Sequence, residues 1–409
     1  MEKIRGPNDP HEEDLEEEEE LQPDDEEFEL DPNKFGPKVG TFNIPLFDLH
    51  QQYKDICDEM SMTIGSLIFM GQFVGGEYLE QFEAQLAGYH NKRYCVGVGS
   101  GTDALWFSLL ALGIGHGDEV IVPTNTFIAT AFAVSHCGAS VRFVDVDPKT
   151  YNMDMELVEE AINTRTRAII PVHLYGQACN MTDLMSLAED RNIHVVEDCA
   201  QAIGSMWDGK RVGSFGISGC FSFYPTKNLG GIGQGGAIVT DDKALAEKIR
   251  SLANMGRSSH TDFAYKGYNS RLDTINALFL KRIMPRLQTW NHSRQSTAFL
   301  YDKNLEDLGA VKTPYVEDKA THVYHLYQIQ CLNKNERDGL REYLDNNRIS
   351  TGLYYPIPCH KQDIYRFEGG NYFPVSEELA DTLLALPMHP HVTEAEIDYI
   401  TDNINDYFS

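Results

Sequence analysis

His194-Val195-Val196-Glu197-Asp198-Cys199-Ala200-Gln201 reads as a short apolar strand that runs out onto two adjacent carboxylates and then into small residues. A valine-rich run of this length is what a strand buried on both faces requires. The same reading extends outward in both directions. Apolar and β-branched runs over residues 94–98, 119–123, 140–146, 167–173 and 236–240 accompany the one at 194–197. Amphipathic stretches over 102–112, 155–162, 183–190 and 243–253 lie between them. Alternation of this kind builds βαβ units, so the sequence predicts an α/β fold with a mainly parallel, buried central sheet. Ligands of such sheets bind beyond the carboxyl ends of the strands, where chemistry-bearing residues should gather.

Four segments fit that expectation. Gly97-Val98-Gly99-Ser100-Gly101-Thr102-Asp103 carries a strand into a helix through glycines. Small residues let backbone N–H groups approach an anion, and the helix N-terminus adds a favourable dipole, so a phosphate suits it. A tight turn with a capping residue would read the same way. Asp198 is a carboxylate emerging from a buried strand, which is costly unless it meets a positive partner. A pyridinium nitrogen would be such a partner, and a helix N-cap is the plainer alternative. Phe221-Ser222-Phe223-Tyr224-Pro225-Thr226-Lys227-Asn228-Leu229-Gly230-Gly231 sets a lysine among aromatics and glycines. Partial desolvation there lowers a lysine pKa and makes the amine a nucleophile toward carbonyls. The fourth segment, Gly267-Tyr268-Asn269-Ser270-Arg271-Leu272-Asp273, is a polar loop ahead of a helical pattern.

In that pattern Leu280, Ile283, Leu287 and Trp290 recur at helical spacing, and Pro285 marks a kink. The helix reads as a connector from a large domain, residues 41–290, to a smaller C-terminal domain of mixed α and β character, residues 291–409. Residues 1–40 read as an acidic, disordered tail. The first 31 residues hold 16 Asp or Glu against Lys3 and Arg5, half of the net charge of −28. Such a block repels itself and has little apolar material to bury. The overall acidity and the lack of a basic stripe argue against nucleic-acid binding. No run is long and apolar enough for a membrane span, and the polar N-terminus is no secretory signal, so a cytoplasmic location is expected. The eight cysteines are scattered without a Cys-x-x-Cys pair, so reduced thiols are expected and no metal site is.

Taken together and in this order, the four segments resemble the DegT/DnrJ/StrS group of sugar aminotransferases, of fold type I among the pyridoxal-phosphate enzymes. The resemblance runs from about Ile44 to the C-terminus and includes Pro123-Thr124-Asn125-Thr126-Phe127 and Pro171-Val172-His173-Leu174-Tyr175-Gly176. It implies that Lys227 holds pyridoxal 5'-phosphate as a Schiff base and shuttles the proton. It implies that Asp198 pairs with the ring nitrogen, that Gln201 lies near the ring hydroxyl and that Phe127 stacks on the ring. Gly101, Thr102 and Ser222 would hold the phosphate, joined by Asn269 of a neighbouring subunit, so a homodimer with shared sites is expected. Many members carry an acidic residue where this chain has Gln234, which leaves the chemistry intact but not the local detail. Related members that dehydrate sugars have histidine in place of the lysine, so Lys227 favours transamination. A non-catalytic regulatory protein would be expected to lose Lys227 or Asp198, and both are present. The implied reaction moves an amine from L-glutamate to a nucleotide-linked keto sugar. Segments 171–177 and 221–229 look more like 3-keto than 4-keto members, pointing to a dTDP-3-keto-6-deoxyhexose. Tyr355 and His360 are candidates to line the sugar pocket, with packing of the small domain as their alternative role.

Overall fold

The computed structural model describes residues 43–366 and 372–409. The acidic segment read as a tail lies outside the described residues. Residues 42–409 make one compact unit. Its centre is a seven-stranded sheet built from β1 (Tyr94–Val98), β2 (Glu119–Pro123), β3 (Ser140–Val144), β4 (Thr166–Ile169) and β5 (His194–Asp198). A two-stranded ribbon, β6 (Met206–Trp207) and β7 (Lys210–Arg211), precedes its last two strands, β8 (Ser218–Ser222) and β9 (Gly236–Thr240). The order across the sheet is β1-β9-β8-β5-β4-β2-β3. β3, β2, β4, β5 and β8 run parallel, and only β9 runs against its neighbours β8 and β1. This is the mainly parallel sheet that the alternation predicted.

Both faces are buried, because successive strand residues point to opposite sides. In β5, Val195 joins one core and Val196 the other; in β9, Ala237 and Val239 join the first and Ile238 the second. The first core is closed by helices Glu77–Tyr89, Met181–Arg191 and Thr274–Ile283, the second by Gly101–Ala111, Ala129–His136 and Lys243–Ala253. β8 was not among the expected strands. Ser218-Gly219-Cys220 lacks β-branched residues, and Gly219 is needed there because a Cβ would run into the backbone of Gly213. The run at 167–173 leaves the ladder after β4. Ile170 still donates to the Ile121 carbonyl at 2.9 Å, but Pro171 has no N–H to give.

Thr274–Ile283 leads through a single 3₁₀ turn, Met284–Arg286, into Leu287–Leu305, so Pro285 sits at a break in an otherwise continuous path. The expected boundary at 290/291 falls inside Leu287–Leu305. Beyond it, β10 (Val311–Lys312), β11 (Tyr327–Cys331) and β12 (Leu383–Leu386) form an antiparallel sheet under helices Lys334–Asn346 and Glu394–Phe408, around a separate apolar cluster. All eight thiols are unpaired and six are buried. Among the described residues no helix is long and apolar enough to cross a membrane.

Candidate active site

A cavity of about 530 Å³ opens beyond the carboxyl ends of β5 and β8. Gly101, Thr102, Phe127, Asp198, Gln201, Ser222, Lys227 and Tyr355 all line it. Parity along β5 separates the two carboxylates. Glu197 turns away from the cavity and is fully buried. Its oxygens accept from the N–H groups of Gly213 (2.6 Å), Phe215 (2.7 Å) and Gly216 (2.7 Å), and His173 Nε2 lies 3.2 Å away. His173 Nδ1 accepts from the Cys179 N–H at 3.0 Å, so Nε2 carries the proton given to Glu197. Burial would raise the Glu197 pKa, but these donors overcome it and hold the carboxyl below its ordinary value. Glu197 is therefore spent on fastening the loop after β7.

Asp198 faces the cavity. Among the described residues, its carboxylate accepts from the Ala200 N–H (3.1 Å) and the Thr130 hydroxyl (2.9 Å) alone. Here burial wins, and the pKa is raised despite those bonds and the charge of Lys227. An under-compensated buried carboxylate of this kind suits a cationic partner. Lys227 sits in the turn after β8, and its N–H donates to the Tyr224 carbonyl at 2.8 Å. Burial lowers its pKa to about 8, with Asp198 acting in the other direction.

The N-terminus of helix Gly101–Ala111 forms a second wall. Ser100 caps it by accepting from the Asp103 N–H at 3.1 Å. A Cβ on Gly101 would lie 2.7 Å from the Ser222 Cβ, so glycine is what lets strand end and helix start meet. The resulting small-residue cradle at a helix N-terminus fits a phosphate. Gln201 is locked in orientation: its Oε1 accepts from the Tyr175 N–H at 2.8 Å, which turns Nε2 to donate to the Tyr355 hydroxyl at 2.9 Å. The Tyr355 proton is thereby left free, and burial pushes its pKa up, so it remains a donor. The Phe127 ring, 5.7 Å from that of Tyr355, is half exposed at the cavity wall. Cradle, carboxylate, lysine and aromatic face together match the phosphate, ring nitrogen, aldehyde and ring face of pyridoxal phosphate.

Two expected residues lie elsewhere. His360 does not line the cavity. Its Nδ1 lies 2.7 Å from the Thr124 hydroxyl and its Nε2 3.1 Å from Glu377, so it ties helix Pro374–Thr382 to the end of β2. Asn269 is exposed and outside its own chain's cavity, accepting from Arg271 Nη2 at 2.6 Å. Its neighbour Ser270 is tied to the glycine turn, accepting from the Gly99 N–H at 3.0 Å and donating to Asp103 at 2.8 Å. Thr130, Phe47, Tyr354 and His325 also line the cavity and were not among the expected residues. Thr130 could have been read from its place three residues after Phe127, one helical turn on.

Residues 55–405 match the DegT/DnrJ/EryC1/StrS aminotransferase family. The chain is 44% identical over 354 residues to UDP-N-acetyl-3-dehydro-alpha-D-glucosamine 3-aminotransferase of Acidithiobacillus ferrooxidans, covering 87% of this chain and 95% of that one. It is 39% identical over 364 residues to dTDP-3-amino-3,6-dideoxy-alpha-D-galactopyranose transaminase of Aneurinibacillus thermoaerophilus, covering 89% and 99%. The structure of DesV from S. venezuelae, in complex with a ketimine intermediate, superposes with a TM-score of 0.87 at 39% identity, over 90% of this chain and 99% of that one. Enzymes of this family depend on pyridoxal phosphate. With a family match over residues 55–405 and relatives about 40% identical over nearly their whole length, the assignment follows: the chain belongs to the DegT/DnrJ/EryC1/StrS aminotransferase family.

Proposed function

We propose that this enzyme transfers an amine from L-glutamate to the third carbon of a nucleotide-linked keto sugar, a dTDP-3-keto-6-deoxyhexose in the first instance. The observation that carries the reading is the meeting of a lysine with a depressed pKa and a buried, cavity-facing carboxylate in one pocket. Bound there, pyridoxal phosphate supplies the electron sink that lets one amine pass between two carbonyl partners in turn. Lys227 offers its neutral amine as the anchor and takes up and returns a proton at Nζ. Asp198 holds a proton on the ring nitrogen through its carboxylate. Gly101, Thr102 and Ser222 hold the phosphate, Phe127 covers the ring face, Gln201 sits by the ring hydroxyl and Tyr355 offers its O–H to the substrate.

Asn269 completes the phosphate site of a second copy of this chain. That role is supported by its exposed position beside a loop tied to the glycine turn. Helix Cys57–Met70 and the turn after it offer the apolar surface a partner copy would cover, with Met62 73% and Phe69 93% exposed. Eight unpaired thiols suit a reducing compartment, the cytoplasm. A second reading, a UDP-linked 2-acetamido-3-keto sugar, is favoured by the 44% identical relative, whose name carries that substrate. The test supplies holoenzyme with ¹⁵N-glutamate and the 3-keto and 4-keto forms of one dTDP-6-deoxy sugar, plus the UDP-linked 3-keto sugar. Label should appear at the third carbon, with the higher kcat/KM on a 3-keto form. A higher constant for the 4-keto form overturns the regiochemistry, and no transfer to any of the three overturns the substrate class.

A further inference from the structure

His325 lines the cavity, yet it is only 4% exposed and the cofactor roles above do not use it. Its tautomer is set by a chain of amides behind the site. Asn291 Nδ2 donates to the Ile203 carbonyl at 3.0 Å, which turns Asn291 Oδ1 toward Asn228. Asn228 Nδ2 donates to that oxygen at 2.9 Å and to the Val323 carbonyl at 3.0 Å. Asn228 Oδ1 therefore faces His325 Nδ1, 3.3 Å away. An amide oxygen only accepts, so Nδ1 must carry the proton. Burial, with the positive charges of Lys227 and Arg294, holds the imidazole well below its usual pKa, so it is neutral and has no second proton. Nε2 is left as a bare lone pair, and no donor among the described residues reaches it. Phe47 lies nearly parallel to the ring, at 18°, and limits its rotation.

We propose that His325 Nε2 is a specificity-determining acceptor that reads the C4 hydroxyl of the sugar. This rests on the 3-keto-sugar reading above. Asn228, which fixes the ring, directly follows Lys227, so the acceptor is built beside the reacting amine. The exposed Gln234 and Tyr224 mark the cavity mouth, where the bulky nucleotide must remain. The deeply buried His325 then faces the side of the sugar ring remote from the anomeric carbon. The hydroxyl there adjacent to the third carbon is the one on C4. Any group without a donor at that position leaves the lone pair desolvated and unpaired, which is the source of the discrimination.

The test uses two amino sugars that differ by that hydroxyl, dTDP-3-amino-3,6-dideoxy-D-galactose and dTDP-3-amino-3,4,6-trideoxy-D-glucose. Wild-type holoenzyme should bind the hydroxylated probe roughly tenfold to a hundredfold more tightly. His325→Phe keeps a flat ring without the acceptor and should bring the ratio near one, with little change for the deoxy probe. A ratio near one in the wild type, or a ratio that survives in His325→Phe, overturns the proposal. Should His325→Phe fail to fold, His325→Leu and wild-type protein carry the test. In ¹⁵N-histidine NMR, the ring signal lost in the variant should be that of a neutral imidazole with an unprotonated Nε2 from pH 6 to 8 in the wild type. A protonated Nε2 there also overturns it. Failure of the substrate reading looks different: neither probe then perturbs the absorption of the holoenzyme, whichever residue stands at 325, and both readings fall.

Discussion

Lys227 and Asp198 face one cavity, yet each is pushed by burial toward its uncharged form. The lysine pKa of about 8 lies below the value of roughly 10.4 in an unfolded chain. Between those values the unfolded chain holds a proton that the folded one has released, so stability rises with pH across that window. The penalty is fully present below about pH 8 and absent above the unfolded value. In cofactor-free protein, Lys227→Met should therefore raise the melting temperature at pH 7, and the gain should shrink as pH climbs toward 10.5. A variant melting no higher than wild type at pH 7 would show that the lysine is not desolvated. Asp198→Asn keeps the shape and loses the charge. It should retain the cofactor through its phosphate contacts while turnover drops about a hundredfold, the usual scale for losing one fixed electrostatic partner. Wild-type turnover would reduce Asp198 to a structural cap. The resemblance pointed to Asp198, but residue spacing alone did not show which of the two adjacent acids faces the site. Strand parity and the N–H groups of Gly213, Phe215 and Gly216 decide that, and they come from a loop remote in sequence.

At the level of elements, the site is a set of strand ends brought level by the sheet. β5 delivers Asp198, β8 delivers Ser222 and the Lys227 turn, and the end of β1 feeds helix Gly101–Ala111. Gly101→Ala would force the helix start away from Ser222, because the new Cβ lies 2.7 Å from its Cβ. Cofactor affinity should fall at least about tenfold, read by titration of absorbance, with far-UV circular dichroism unchanged. Unchanged affinity would place the phosphate elsewhere. Glu197→Gln sets an amide NH₂ against backbone donors in a dry site and should cost about 3 kcal/mol in urea denaturation. A cost under about 0.5 kcal/mol, the scale of an ordinary surface change, would contradict the clasp. β8 and its place between β5 and β9 were hidden because glycine and serine replace the β-branched residues that announce a strand. His325 was hidden because a histidine between Tyr324 and Leu326 looks like ordinary core, and its amide chain exists only once the fold closes.

Over the whole molecule, the alternation of runs and amphipathic stretches made the α/β class and the mainly parallel sheet legible. Leu287–Leu305 runs unbroken through residues 290 and 291, where the sequence reading drew a domain boundary. His360 sits near Tyr355 in sequence but turns back onto Thr124, a contact between β2 and the C-terminal region that no local pattern announces. Asn269 is proposed to serve a partner copy. Mixing inactive Lys227→Ala protein with inactive Asn269→Ala protein should restore activity, since one site of each mixed dimer carries neither lesion. Random exchange of equal amounts predicts about a quarter of wild-type activity. No recovery after proven subunit exchange would mean that each chain builds its own site.

Lys227 as the covalent anchor is tested most directly by borohydride reduction. Holoenzyme treated with borohydride, digested and mapped by mass spectrometry should carry the reduced pyridoxyl group on the peptide containing Lys227 and lose its visible absorption. The same treatment of Lys227→Ala should leave every peptide unmodified. A pyridoxyl group on another lysine, or none on any peptide of an active holoenzyme, would contradict the account.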